Sequence, residues 1–126
     1  MANVSNIRKI INNTQKKIYV VVGEDNNKTH TVNINSEWVG DLWVPWIGAQ
    51  DESKKAIRIT IDGEPEIIWF FQDLKNPPGK DQIKYHKGKI FSYKNAKDVE
   101  GESSGGGNKT LRFYIDAKKV VKFKLI

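Results

Sequence analysis

Apolar and polar residues alternate with period two along most of this chain. Ile57, Ile59 and Ile61 are separated by Arg58 and Thr60. Ile18, Val20 and Val22 alternate with Tyr19 and Val21, and Val32 and Ile34 with Thr31 and Asn33. Near the C-terminus, Leu111, Phe113 and Ile115 alternate with Arg112 and Tyr114, and Val121, Phe123 and Leu125 with Lys122 and Lys124. Such spacing puts one set of side chains on a buried face and the other toward solvent, as in half-buried β-strands. Weaker patterns of the same kind run over residues 7–11, 42–46, 83–85 and 90–93. Residues 50–56 are the helical candidate, long enough for only about two turns.

Turn chemistry separates these runs. Asp62-Gly63 lies between Ile61 and the apolar run 67–71, which predicts a hairpin, because glycine accepts the positive φ of tight turns. Residues 24–28 form a polar, Asn-rich turn between two strands. Asp116-Ala117-Lys118 joins the last two strands without a glycine. Asn76-Pro77-Pro78-Gly79 predicts a stiff turn, and the Gly- and Ser-rich stretch 100–108 a flexible loop. The expected fold is therefore all-β: an antiparallel β-sandwich of roughly 8–10 short strands, with a closed barrel as the alternative. The whole chain, 1–126, reads as one domain.

One strand departs from the alternation. In residues 67–71, Ile67, Trp69 and Phe71 share one face and Ile68 and Phe70 the other, so both faces are apolar. Something must cover the second face: a loop or the N-terminal segment of the chain, or else another copy or a ligand docking around Ile68 and Phe70.

Composition narrows the chemistry. Cysteine is absent, which excludes disulfides, zinc–thiolate sites and thiol catalysis. The two histidines, His30 and His86, are too far apart in sequence to seed a metal site. No cofactor or metal is expected. The N-terminus lacks a leader-like apolar run, and no stretch is long and apolar enough to span a bilayer, so a cytoplasmic location or release without a leader is expected. The net charge is +6, of which residues 64–126 carry +5, from 13 basic and 8 acidic residues. Between residues 75 and 97 seven lysines face Asp81 alone. Lys80, Lys84, Lys87, Lys89, Lys94 and Lys97 are the candidates for contact with an anionic surface. Arginine is scarce, with only Arg8, Arg58 and Arg112. Base-edge readout favours arginine, so nucleic acid is a poor fit.

The enzyme-like patterns fail on context. Gly101-Glu102-Ser103-Ser104-Gly105 matches the serine-hydrolase elbow, but a strand pattern follows where a helix is needed, and no histidine comes after Ser103. The same stretch lacks the glycine directly before lysine that a phosphate loop requires. The chain thus reads as a binding protein without catalytic residues. The binding signal is Trp38, Trp43 and Trp46, three of the four tryptophans within nine residues. An exposed indole offers a flat face to the C–H face of a sugar, and neighbouring Asn35 and Asp41 supply hydrogen bonds. Asn35, Trp38, Asp41 and Trp43 are the expected ligand-binding set, for a glycan in a lectin-like module. The alternatives are an anionic membrane, as for a small cytolysin, and self-assembly as a structural homo-oligomer.

Overall fold

The computed structural model of the chain describes residues 4–74 and 82–126. The Asn76-Pro77-Pro78-Gly79 turn and Lys80 lie outside the described residues. In chain order the strands are β1 (Ser5–Asn13), β2 (Ile18–Val22), β3 (Lys28–Val32), β4 (Glu37–Trp43), β5 (Trp46–Ile47), β6 (Ile57–Ile61), β7 (Ile67–Asp73), β8 (Ile83–Gly88), β9 (Lys97–Asp98), β10 (Gly107–Ile115) and β11 (Val121–Leu125). A 3₁₀ segment, Gln50–Lys55, occupies the helical candidate.

Two sheets pack face to face. The first has the order β11-β10-β1-β4; the second has β3-β2-β6-β7-β8-β9, with β5 added beside β7. Each ends in edge strands, so neither closes into a barrel, and the sandwich expected from the alternation is the fold. Most pairings are antiparallel. Among the described strands, β1 pairs with β10 and β5 with β7 in parallel.

The alternating residues form the core. Ile7, Ile10, Leu111 and Phe113 from the first sheet meet Ile18, Val20, Ile57, Ile59 and Phe70 from the second, all fully buried. Burying each such side chain contributes about 1.5–3 kcal/mol.

The apolar strand at 67–71 requires a correction. Ile68 and Phe70 are 3% and 0% exposed and belong to this main core, so they offer no surface to another copy. The face that needed a cover is the opposite one. Phe71 is buried there under Phe91, Ile47 and Ala56, and Trp69 is half-buried against the same cluster, with ring centroids 5.4 and 5.7 Å from that of Phe91. The cover is the chain itself: residues 90–93, expected as a strand, form a strap. Tyr93 fastens it by donating its hydroxyl to buried Asp73 Oδ1 at 2.6 Å. Burial, with Asp73 beside it, pushes the Tyr93 phenol up to about 12. Gln50 ties the strap to the 3₁₀ segment, accepting from the Tyr93 amide at 2.7 Å and donating to the Phe91 carbonyl.

The turns show how the local sequence is used. Gly63 adopts φ +82°, and the Glu64 amide closes the hairpin on the Ile61 carbonyl at 3.0 Å. Asn26 and Asn27 take φ 53° and 58° between β2 and β3, a conformation asparagine tolerates better than most residues. Where glycine is missing before β11, the Asp116 carboxylate accepts the amides of Lys118 and Val120, each at 2.9 Å, and Lys119 takes the positive φ of 63°. The glycine-rich loop is fastened to the sandwich end rather than loose. The Glu102 amide bonds the Leu125 carbonyl at 2.9 Å, and the Gly106 amide bonds Ser5 Oγ at 2.7 Å. Among the described residues no helix is long and apolar enough to cross a membrane.

Candidate functional site

The site begins at a corner of the sandwich. β4 is an edge of the first sheet and β3 an edge of the second, and the two lie side by side. β4 reaches this position through β1. Pairing slips between Ile7 and Lys9, and this bulge sets Arg8 apart from the ladder. Asn6 and Arg8 then both reach Asp41 on β4. Asn6 Nδ2 donates to Asp41 Oδ1 at 2.9 Å, and the Arg8 guanidinium pairs with the same oxygen. Asn6 Oδ1 in turn accepts the Leu42 amide at 2.9 Å. The hydrogen bond from Asn6, helped by Arg8, holds the Asp41 carboxyl below the usual range. Asp41 Oδ2 has no intramolecular partner among the described residues, so it remains an acceptor for a ligand.

Alternation along β4 decides which tryptophan is offered. Leu42 points inward and is 2% exposed; Trp43 points outward and is 57% exposed. Pro45 ends this ladder, as a residue without an amide donor does. Trp46 therefore leaves for β5, where it is half-buried rather than part of the main core. Trp38 sits on the inward side, packed against the core, with its ring centroid 4.9 Å from that of His30.

A groove of about 370 Å³ opens between the two edges. Val22 and Leu42 supply its buried apolar floor. Asp41 and Trp43 form one wall, Lys28 and His30 the other, and Glu24 and Asp25 of the β2–β3 turn close one end. Burial lowers the His30 pKa from 6.5, Lys28 lowers it further and Asp25 opposes both. The neutral imidazole is then a donor and an acceptor at neutral pH. The groove thus joins an exposed indole to several polar groups with differing hydrogen-bonding roles. Among the described residues no cluster of three or more His, Asp or Glu is placed to hold a metal ion.

The residues expected from sequence divide three ways. Asp41 and Trp43 meet in the groove. Trp38 backs it through His30 and offers no free face there. Asn35 stands apart: it precedes β4 whereas Trp43 ends it, a separation of roughly 20 Å at strand rise. Its side chain accepts from Gln15 Nε2 at 3.2 Å. Glu24, Asp25, Lys28 and His30 were not among the residues expected from sequence to bind the ligand. Their sequence signal was that of a turn leading into a strand, and only the meeting of β3 with β4 gives them a common target.

The lysine candidates also separate. Lys84 is drawn inward: its ammonium pairs with buried Asp73 at 2.9 Å and its side chain is 21% exposed. Lys87, Lys89, Lys94 and Lys97 are exposed around β8, β9 and the strap. They lie at the edge of the second sheet opposite to β3, and so away from Trp43.

No protein-family model, no curated protein and no solved structure matches this chain. The functional reading therefore stands on the groove alone.

Proposed function

We propose that the chain is a non-enzymatic carbohydrate-binding module whose site is the groove between β3 and β4. The observation that carries this reading is Trp43, a large aromatic left 57% exposed at the wall of a concavity with polar groups around it. In this reading a sugar ring lays its C–H face on the indole. Asp41 Oδ2, Asp25 and Glu24 accept from its hydroxyls, and Lys28 and His30 donate to them. Asn6 and Arg8 keep Asp41 ionised and fixed, so little ordering entropy remains to be lost on binding.

A glycan array probed with the wild type and with Trp43→Ala tests the proposal. Because Trp43 is exposed, its loss should leave stability within about 0.5 kcal/mol. The expected result is a set of glycan hits that disappear in the folded variant. Absence of hits, or hits indifferent to the indole, would overturn it.

A second reading draws on one observation: Ile90 is 78% exposed beside Lys89. With Lys87, Lys94 and Lys97, this tip suits an anionic membrane, where each lysine contributes about 1 kcal/mol. It ranks second because it engages none of the groove. Salt-sensitive co-sedimentation with phosphatidylserine vesicles, together with an empty glycan array, is the outcome that would put it first; no sedimentation would remove it.

A further inference from the structure

The β2–β3 turn that closes one end of the Trp43 groove also walls a second concavity, of about 420 Å³, on the outer face of the second sheet. Glu24 and Asp25 of the turn face the first, whereas Asn26 and Asn27 face the second. Ser53 and Lys54 of the 3₁₀ segment form its next side, and Arg58 of β6 and Trp69 of β7, paired across the strands, form the last.

The concavity is built by close packing. A Cβ on Gly23 would stand 2.0 Å from the Lys54 carbonyl oxygen, so only glycine lets the 3₁₀ segment approach the turn. The Gly23 amide bonds the Ala56 carbonyl at 3.2 Å and fastens the approach. Arg58 Nη2 donates to Asn27 Oδ1 at 2.6 Å, which orients the guanidinium and leaves most of its donor fork for a ligand. Trp69 is held as well, its indole N–H donating to the Gly88 carbonyl at 3.0 Å.

The charge of this lining is one-sided. It holds two cations, Arg58 and Lys54, and no carboxylate. Neither cation is in an ion pair among the described residues. The nearby acids, Glu52 and Asp51 of the 3₁₀ segment and Glu24 of the turn, act on Lys55, which pairs with Glu52 at 2.7 Å. An oriented guanidinium with ammonium, hydroxyl and amide groups beside an indole suits a tetrahedral oxyanion carried on a small ring. We propose that this concavity is a second binding site, for a small phosphate or sulfate ester, with the oxyanion on Arg58 and Lys54 and the ester's ring against Trp69.

Isothermal titration of the full chain with glucose 6-phosphate, glucose 6-sulfate, glucose and inorganic phosphate tests this. One or both esters should bind, less tightly at higher salt, and the stronger arm identifies the oxyanion. Arg58→Gln should weaken the ester about tenfold, the scale of one charge-assisted hydrogen bond. Lys54→Gln, at an exposed position, should weaken it by about threefold and keeps the test decisive if Arg58→Gln fails to fold. Trp43→Ala should leave ester binding unchanged, which separates this site from the groove. Neither ester binding, an affinity untouched by both substitutions, or binding lost with Trp43 would overturn the proposal. Inorganic phosphate binding as tightly as the esters would overturn the role given to Trp69.

Discussion

Asn12 shows how much one polar side chain does inside this sandwich. It is fully buried in β1, and its Nδ2 faces the carbonyls of Lys16, Val32 and Asn33 at 2.7, 3.1 and 3.1 Å. Its Oδ1 accepts the amide and hydroxyl of Thr14 at 3.0 and 2.7 Å. One residue thus ties the β1–β2 turn to the end of β3. Asn12→Ala would strand several buried groups, and we expect a loss of about 3 kcal/mol in chemical denaturation. A loss below about 1 kcal/mol would mean that water replaces the side chain there. None of this was legible in the sequence, where Asn12 merely follows the weak strand pattern of residues 7–11. Asn6 was equally silent, because its partners Asp41 and Leu42 are 35 and 36 residues away. By contrast, the outward aim of Trp43 followed from its neighbour Leu42, since alternation is local.

Elements divide in the same way. The strands with clean alternation, β2, β6, β10 and β11, were legible because each has one buried face. β5 and β9, of two residues each, were not, since they have no period to show. β7 was visible as a strand but misassigned by face: apolar residues on both sides cannot say which side meets the core. At the corner, β3 and β4 are joined across the sandwich by His30 and Trp38, and this contact has a pH consequence. Burial lowers the folded pKa of His30 below 6.5, so between that lower value and 6.5 the unfolded chain binds more protons. The contribution is complete above pH 6.5 and is lost as pH falls through the folded pKa. Urea midpoints measured between about pH 7.5 and 5 should therefore decline on acidification, and His30→Gln should flatten that decline. An unchanged slope in the variant would show that His30 is not the group responsible.

At the scale of the molecule, the order of strands assigns the surfaces. Parallel pairing of β1 with β10 brings the two ends of the chain into one sheet and leaves β4 at its edge. β4 then borders β3, and the groove beside Trp43 exists only because of that meeting. Exposed lysines collect at the far edge, and the concavity of Arg58 and Trp69 lies beyond the turn that separates it from the groove. Charge runs and aromatic clusters were visible along the chain, but their distribution over separate surfaces depends on contacts between distant residues. The central claim is that the groove between β3 and β4 receives a sugar. Its most direct test is a two-dimensional NMR titration of the labelled chain with a glycan chosen from the array hits. The account predicts shifts in the Trp43 indole N–H and in the amides of Asp25, His30 and Asp41, with the Trp69 indole unmoved. Shifts confined to other surfaces, or none at saturating sugar, would contradict it.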